Sequence, residues 1–303
     1  MAASRSLREV ALERTFSLYR RHLTLWLALL LPVVATGAVI FAAVRLAVLG
    51  SLGPGADPAL VRGVMPMAWS AALVWGLAGI TGGQICGLLV LDNGGTPAVN
   101  SVLLAVLRRS PRLLATASLF VVLVGGAGLV GLGAATGLIW SPRVLLPAVG
   151  FSASTARALS LLIALPLLVA GTLPALWLLA RHAIALPLAA VAETSPFAII
   201  GLARRLSRGH AGSILGLLVI TDLANTAVVL LCRAAAALFT LVAWPSQFRP
   251  IFGPGPLDAA TTHPGAMILL GATVVAMLVT LPLFFLPLSV LAVELTRQRP
   301  VDV

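Results

Sequence analysis

The sequence predicts an all-α membrane protein: six transmembrane helices in three tandem αα units, with basic amphipathic helices lying at the interface. Three observations carry that reading. The 303 residues are 60% hydrophobic and 10% charged, with a mean hydropathy of +1.08; soluble domains carry about a quarter charged residues, and no soluble core of this size needs so much apolar surface. Six apolar stretches, 23–49, 64–91, 113–140, 161–192, 212–244 and 266–293, reach the ~20 residues that a helix needs to cross a bilayer. Most of the cations fall between these stretches rather than within them.

In chain order, residues 1–22 carry Arg5, Arg8, Arg14, Arg20 and Arg21, and Ser6 with Glu9 has the spacing of a capping box. The apolar run that follows is too long for the core of a signal peptide, so an uncleaved first span is expected. The second basic segment, "TPAVNSVLLAVLRRSPR" (96–112), and the third, "SPFAIIGLARRLSR" (195–208), share one design: a hydroxyl residue, then proline, then an arginine pair before a span. Thr96-Pro97 and Ser195-Pro196 read as an N-cap followed by proline at the first helical position. On a helical wheel Ile199, Leu202, Ala203 and Leu206 fall on one face and Arg204, Arg205 and Arg208 on the other. That helix is therefore expected to lie along the membrane surface, with Gly209 breaking it from the fifth span.

The fourth and fifth spans exceed the required length, which predicts tilt or overhang. Pro32, Pro166, Pro174, Pro187, Pro282 and Pro287 predict kinks that neighbouring helices accommodate. Asp92, Glu193 and Glu294 close the even spans at intervals of 101 residues, and "LPLAAVAE" nearly repeats in "LPLSVLAVE". The chain thus reads as a single membrane domain, 1–303, of tandem units at about 6–92, 96–193 and 195–294.

All 20 basic residues are arginine. Thirteen lie on the side of the N-terminus and four in the loops opposite, which places both termini in the cytoplasm of a bacterial cell membrane. Cysteines introduced at Asp57 or Asp258 should then label from outside, and one at Asn93 should not. Because the arginines are dispersed between spans, nucleic-acid binding is a poor reading of the +11 charge. Contact of Arg108, Arg109, Arg112, Arg204, Arg205 and Arg208 with anionic headgroups is worth about 1 kcal/mol each; a purely topological role is the alternative.

Catalytic signatures are sparse. "GFSAS" at 150 lacks the second glycine of a nucleophile elbow, and His22, His182, His210 and His263 are scattered singly, so neither a metal nor a cofactor is expected. Cys86 and Cys232 sit in apolar runs as small packing residues. Asp222 stands out as an acid about 15 Å into a span, with Asn225 on its face. Arg181 lies about 18 Å from Glu193, and Gln84 about 12 Å from Asp92. The four are expected to form a polar cluster near the midplane, serving either as a structural ion pair or as a substrate or proton path. Gly76, Gly79, Gly82, Gly83 and Gly87 in span two, and Gly125, Gly126, Gly128, Gly131, Gly133 and Gly137 in span three, offer faces for close helix packing or for another membrane protein.

The run from Arg181 to Gly209, with Pro187, Glu193, Ser195-Pro196, Ala198 and Arg204-Arg205, resembles the membrane domain attached to some bacterial glycerophosphodiester phosphodiesterases, a domain that also occurs in stand-alone multi-pass proteins. "FSLYRRHLTLWLALLLP" is similar to the start of that domain. The 303 residues hold no soluble barrel to carry a phosphodiesterase site, so the resemblance implies a module that supports or recruits a partner, not catalysis. A scaffold or lipid-contacting module is the expected function, and a permease using Asp222 the rival.

Overall fold

The computed structural model describes residues 7–52, 58–150, 152–243 and 264–298. Its helices are α1 (Leu7–Arg21), α2 (Leu23–Leu52), α3 (Pro58–Asp92), α4 (Val99–Ala148), α5 (Ala153–His182), α6 (Ala185–Ala189), α7 (Pro196–Leu206), α8 (Ala211–Ala243) and α9 (Pro264–Gln298), with no strand among the described residues. Six segments, namely α2, α3, α4, α5 with α6, α8 and α9, are long and apolar enough to cross a membrane, as a multi-pass membrane protein requires. The closest pairings are α2 with α3, α4 with α5 and α8 with α9, which makes three antiparallel hairpins.

The joints follow from local chemistry. Between α1 and α2 the chain bends at His22 without losing its turn: the His22 amide donates to the Leu18 carbonyl and the Trp26 amide to the His22 carbonyl. The start of α7 is the one expected, with the Ser195 hydroxyl accepting from the Ala198 amide and Pro196 in the first turn. Gly209, at φ +86°, then takes the left-handed conformation that glycine adopts without steric cost, and α8 starts afresh at Ala211. The Ser6 cap lies outside the described residues.

One expectation needs correction, and the kink expected at Pro187 is sharpened to a break. The second basic segment is not a separate interfacial helix: it begins at Val99, beyond Thr96-Pro97, and runs on through Pro111 into the span as one 50-residue helix. No glycine separates Arg112 from the span as Gly209 does in the third unit, and buried Leu113, Thr116 and Ala117 continue the packed face. Conversely, the fourth span is broken. Pro187 has no amide for the Ala183 carbonyl and its ring crowds that turn, so α5 ends at His182 and only the single turn of α6 follows.

Burial is concentrated at the end that carries the arginine-rich segments. There the runs 78–88 of α3, 182–190 across α5 and α6, and 285–293 of α9 are buried without interruption. The polar helix α1, the first turns of α4, and α7 pack around them with Ala11, Val102, Val106, Ile199, Leu202 and Leu206 inward. Towards the other end the hairpins part, and Leu129, Leu162 and Leu165 are each more than 70% exposed. What holds α4 to α5 there is a backbone approach: a Cβ on Gly171 would stand 2.6 Å from the Gly131 carbonyl oxygen. The glycines of α4 divide accordingly. Gly131 packs, whereas a Cβ on Gly125, Gly126, Gly133 or Gly137 would meet nothing.

Candidate functional site: a charged collar at the arginine-rich end

Arg14 lies on the same face of α1 as Leu7, Ala11 and Leu18, the face turned towards the other helices. Its guanidinium forks between two carboxylates, Asp92 at the end of α3 and Glu294 near the end of α9. Arg297 completes the group, 3.0 Å from Asp92 and 3.5 Å from Glu294. The Asp92 and Glu294 side chains are only 10% and 20% exposed, so neither could stay ionised cheaply without these partners. The network joins the first helix, the first returning helix and the last helix. Beside it, where α3, α6 and α9 meet, lies a cavity of about 210 Å³ lined in part by Asp92, Asn93, Pro187, Thr296 and Arg297. The third of the equally spaced acids, Glu193, is exposed and stands outside this network.

The second basic segment does a different job. Arg109 and Arg112 donate to the carbonyls of Ala190 and Ala192, just past the short helix α6. Carbonyls at a helix end have no intrahelical donor, and a guanidinium satisfies them while complementing the negative end of the helix dipole. This corrects the expected lipid-contact set: Arg109 and Arg112 are internal caps, and Arg108 beside them stays exposed. On α7 the division is complete. Ile199, Leu202, Ala203 and Leu206 are buried, while Arg204, Arg205 and Arg208 are exposed with no partner among the described residues.

The expected midplane cluster does not form. Asp222 is exposed on α8 and has no ion pair or hydrogen bond among the described residues. Arg181 stacks its guanidinium over the Trp177 ring at 4.2 Å. Gln84 donates from Nε2 to the Pro282 carbonyl at 3.0 Å, and the Asn225 amide oxygen accepts from the Thr280 hydroxyl. Four residues therefore have four separate fates. Two physical reasons explain the error. Depth along a helix says nothing about rotation around it, and Gln84 and Asn225 find their partners on α9, a helix that depth along α3 and α8 leaves out.

Helix α1 packs beside Asp222's stretch of α8. It carries Arg8, Glu9, Glu13, Arg14, Arg20 and Arg21 within 15 residues, which suits headgroups and not hydrocarbon. It lies along α8 and α9. Arg8 sits by Gly216, and Leu12, Thr15 and Phe16 face Thr221, Asn225 and Thr280 across a cavity of about 150 Å³. The Tyr19 hydroxyl donates to the Val279 carbonyl at 2.6 Å, and burial raises its phenol above the ordinary range. The stretch of α8 from Gly216 to Asn225 thus packs beside a polar helix, with Asp222 itself exposed.

The Arg14 network is hard to see in the sequence because Arg14 looks like one more of the charges that set topology. Its place on the apolar face of α1, together with the equal spacing of the acids, was the available signal. Compared with protein families, with curated proteins and with solved structures, the chain matches none of them.

Proposed function

We propose that this protein is a non-enzymatic module of the bacterial cytoplasmic membrane that presents a basic, lipid-contacting face and serves as a scaffold for a partner. The observation that carries this reading is α7: its apolar side is buried in the collar, and three unpaired arginines face outward. The thirteen-to-four arginine bias supports a cytoplasmic collar, where anionic headgroups are found. The recurrence of the three buried runs, at nearly the interval of the three acids, supports tandem units. The resemblance of residues 181–209 to the phosphodiesterase-linked membrane domain supports a recruiting role. The permease reading draws no support from Asp222, since the cavity next to it is lined by its neighbours Thr221, Ala224 and Asn225 and not by Asp222 itself.

The test is lipid selectivity of the reconstituted full chain, read with spin-labelled phosphatidylglycerol against phosphatidylcholine. At about 1 kcal/mol, roughly fivefold, per arginine before salt screening, replacing Arg204, Arg205 and Arg208 together by Gln should sharply lower the preference for the anionic lipid. Replacing Arg109 should instead loosen the fold. An unchanged preference in the triple variant would sink the lipid-contact reading.

A further inference from the structure

Away from the collar, α2, α3 and α9 part around a cleft of about 440 Å³. Its floor is Ile80 and Phe285, both buried; its walls include Val34, Ala38 and Gly76, and the tilted pair Phe41 and Trp69, centroids 4.9 Å apart, stands at its other end. No charged side chain lines it. On α2, Val34, Ala38, Phe41 and Arg45 fall at steps of three and four residues, so they share one face, with Arg45 one turn beyond Phe41. Arg45 is exposed and has no partner among the described residues.

From these features we infer that the cleft binds one acyl chain of a phosphate-bearing membrane lipid, with the phosphate held by Arg45, in the leaflet opposite the collar. Three arguments fix the occupant. An apolar cavity does not hold water, and leaving it empty forfeits packing on every wall. From Val34 to Arg45 the helix rises about 17 Å, close to the ~15 Å that one leaflet contributes to a ~30 Å core. The cleft is open along its side rather than enclosed, so an acyl chain of the surrounding bilayer enters it without any helix moving. The unpaired guanidinium beyond the rim then selects a phosphate over an uncharged headgroup. The site lies at the other end of the molecule from α7 and stands whether or not the proposed scaffold role holds.

The test is native mass spectrometry of the full chain, offered phosphatidylglycerol or diacylglycerol with the same acyl chains after delipidation. The wild type should retain one phosphatidylglycerol and at least tenfold less diacylglycerol. In a chain that also carries Arg204→Gln, Arg205→Gln and Arg208→Gln, so that α7 does not contribute, Arg45→Gln, an exposed change, should bring phosphatidylglycerol down to the diacylglycerol level. Gly76→Phe should abolish retention of both, since a Cβ there meets nothing and the ring has only the cleft to enter; Ala38→Leu serves if that variant does not fold. Equal retention of the two lipids, full retention by Arg45→Gln, or a dimer that occupies this face in place of lipid overturns the inference.

Discussion

The collar and the far halves of the hairpins are made from similar apolar sequence, yet they are packed to different degrees. In the most apolar windows of α3 and α9, which converge on the collar, 61% and 56% of residues are buried; in that of α5 the share is 11%. In hydrocarbon an exposed leucine loses nothing, so association there depends on close van der Waals approach. At the collar the helices converge, and Trp26, Leu186 and Leu286 are packed on all sides, gaining contacts that an exposed leucine lacks. The collar is therefore packed like a small soluble core, with amphipathic helices around it and the carboxylates Asp92 and Glu294 paired. The far halves are held by hairpin geometry and a glycine crossing.

That contrast gives its largest effect at Trp26, which is 1% exposed and packs against Gly87. Trp26→Ala should cost about 3–5 kcal/mol, whereas Leu162→Ala, at a site 74% exposed to lipid, should stay within about 0.5 kcal/mol. Equilibrium unfolding in mixed detergent micelles measures both, and equal losses would erase the distinction between the two regions.

Next in size is Arg14→Ala. It removes one partner from each of two part-buried carboxylates, and about 3 kcal/mol is expected, the low end of the range because Arg297 remains. Adding Asp92→Asn and Glu294→Gln should recover part of that loss in a mutant cycle. Strict additivity would show that the network contributes nothing to holding α1 on α9.

The smallest effect compares glycines within one helix. Gly131→Ala forces α4 away from α5 and should cost about 1–3 kcal/mol through overpacking. Gly137→Ala, with open space around it, should be neutral or stabilise by up to about 1 kcal/mol through helix propensity. Thermal unfolding of the two variants in one detergent checks this; a Gly137 variant as unstable as Gly131 would mean that the outer face of α4 is also packed.

Composition, run length and cap chemistry by themselves determined that the chain is an all-helical, six-span membrane protein. They also placed Ser195, Pro196 and Gly209 correctly, because caps and positive φ are local properties of a few adjacent residues. Only the tertiary structure decided that Pro187 ends a helix while Pro111 and Pro287 do not, since neighbouring packing sets the outcome at each proline. It alone decided that Arg109 and Arg112 cap carbonyls 80 residues away while Arg204 and Arg205 remain free. It also dispersed Asp222, Arg181, Gln84 and Asn225, which linear depth had placed together. A sequence gives position along a helix axis, but whether two polar groups meet depends on how each helix is rotated and tilted against the others, and that is fixed by contacts between residues far apart in the chain.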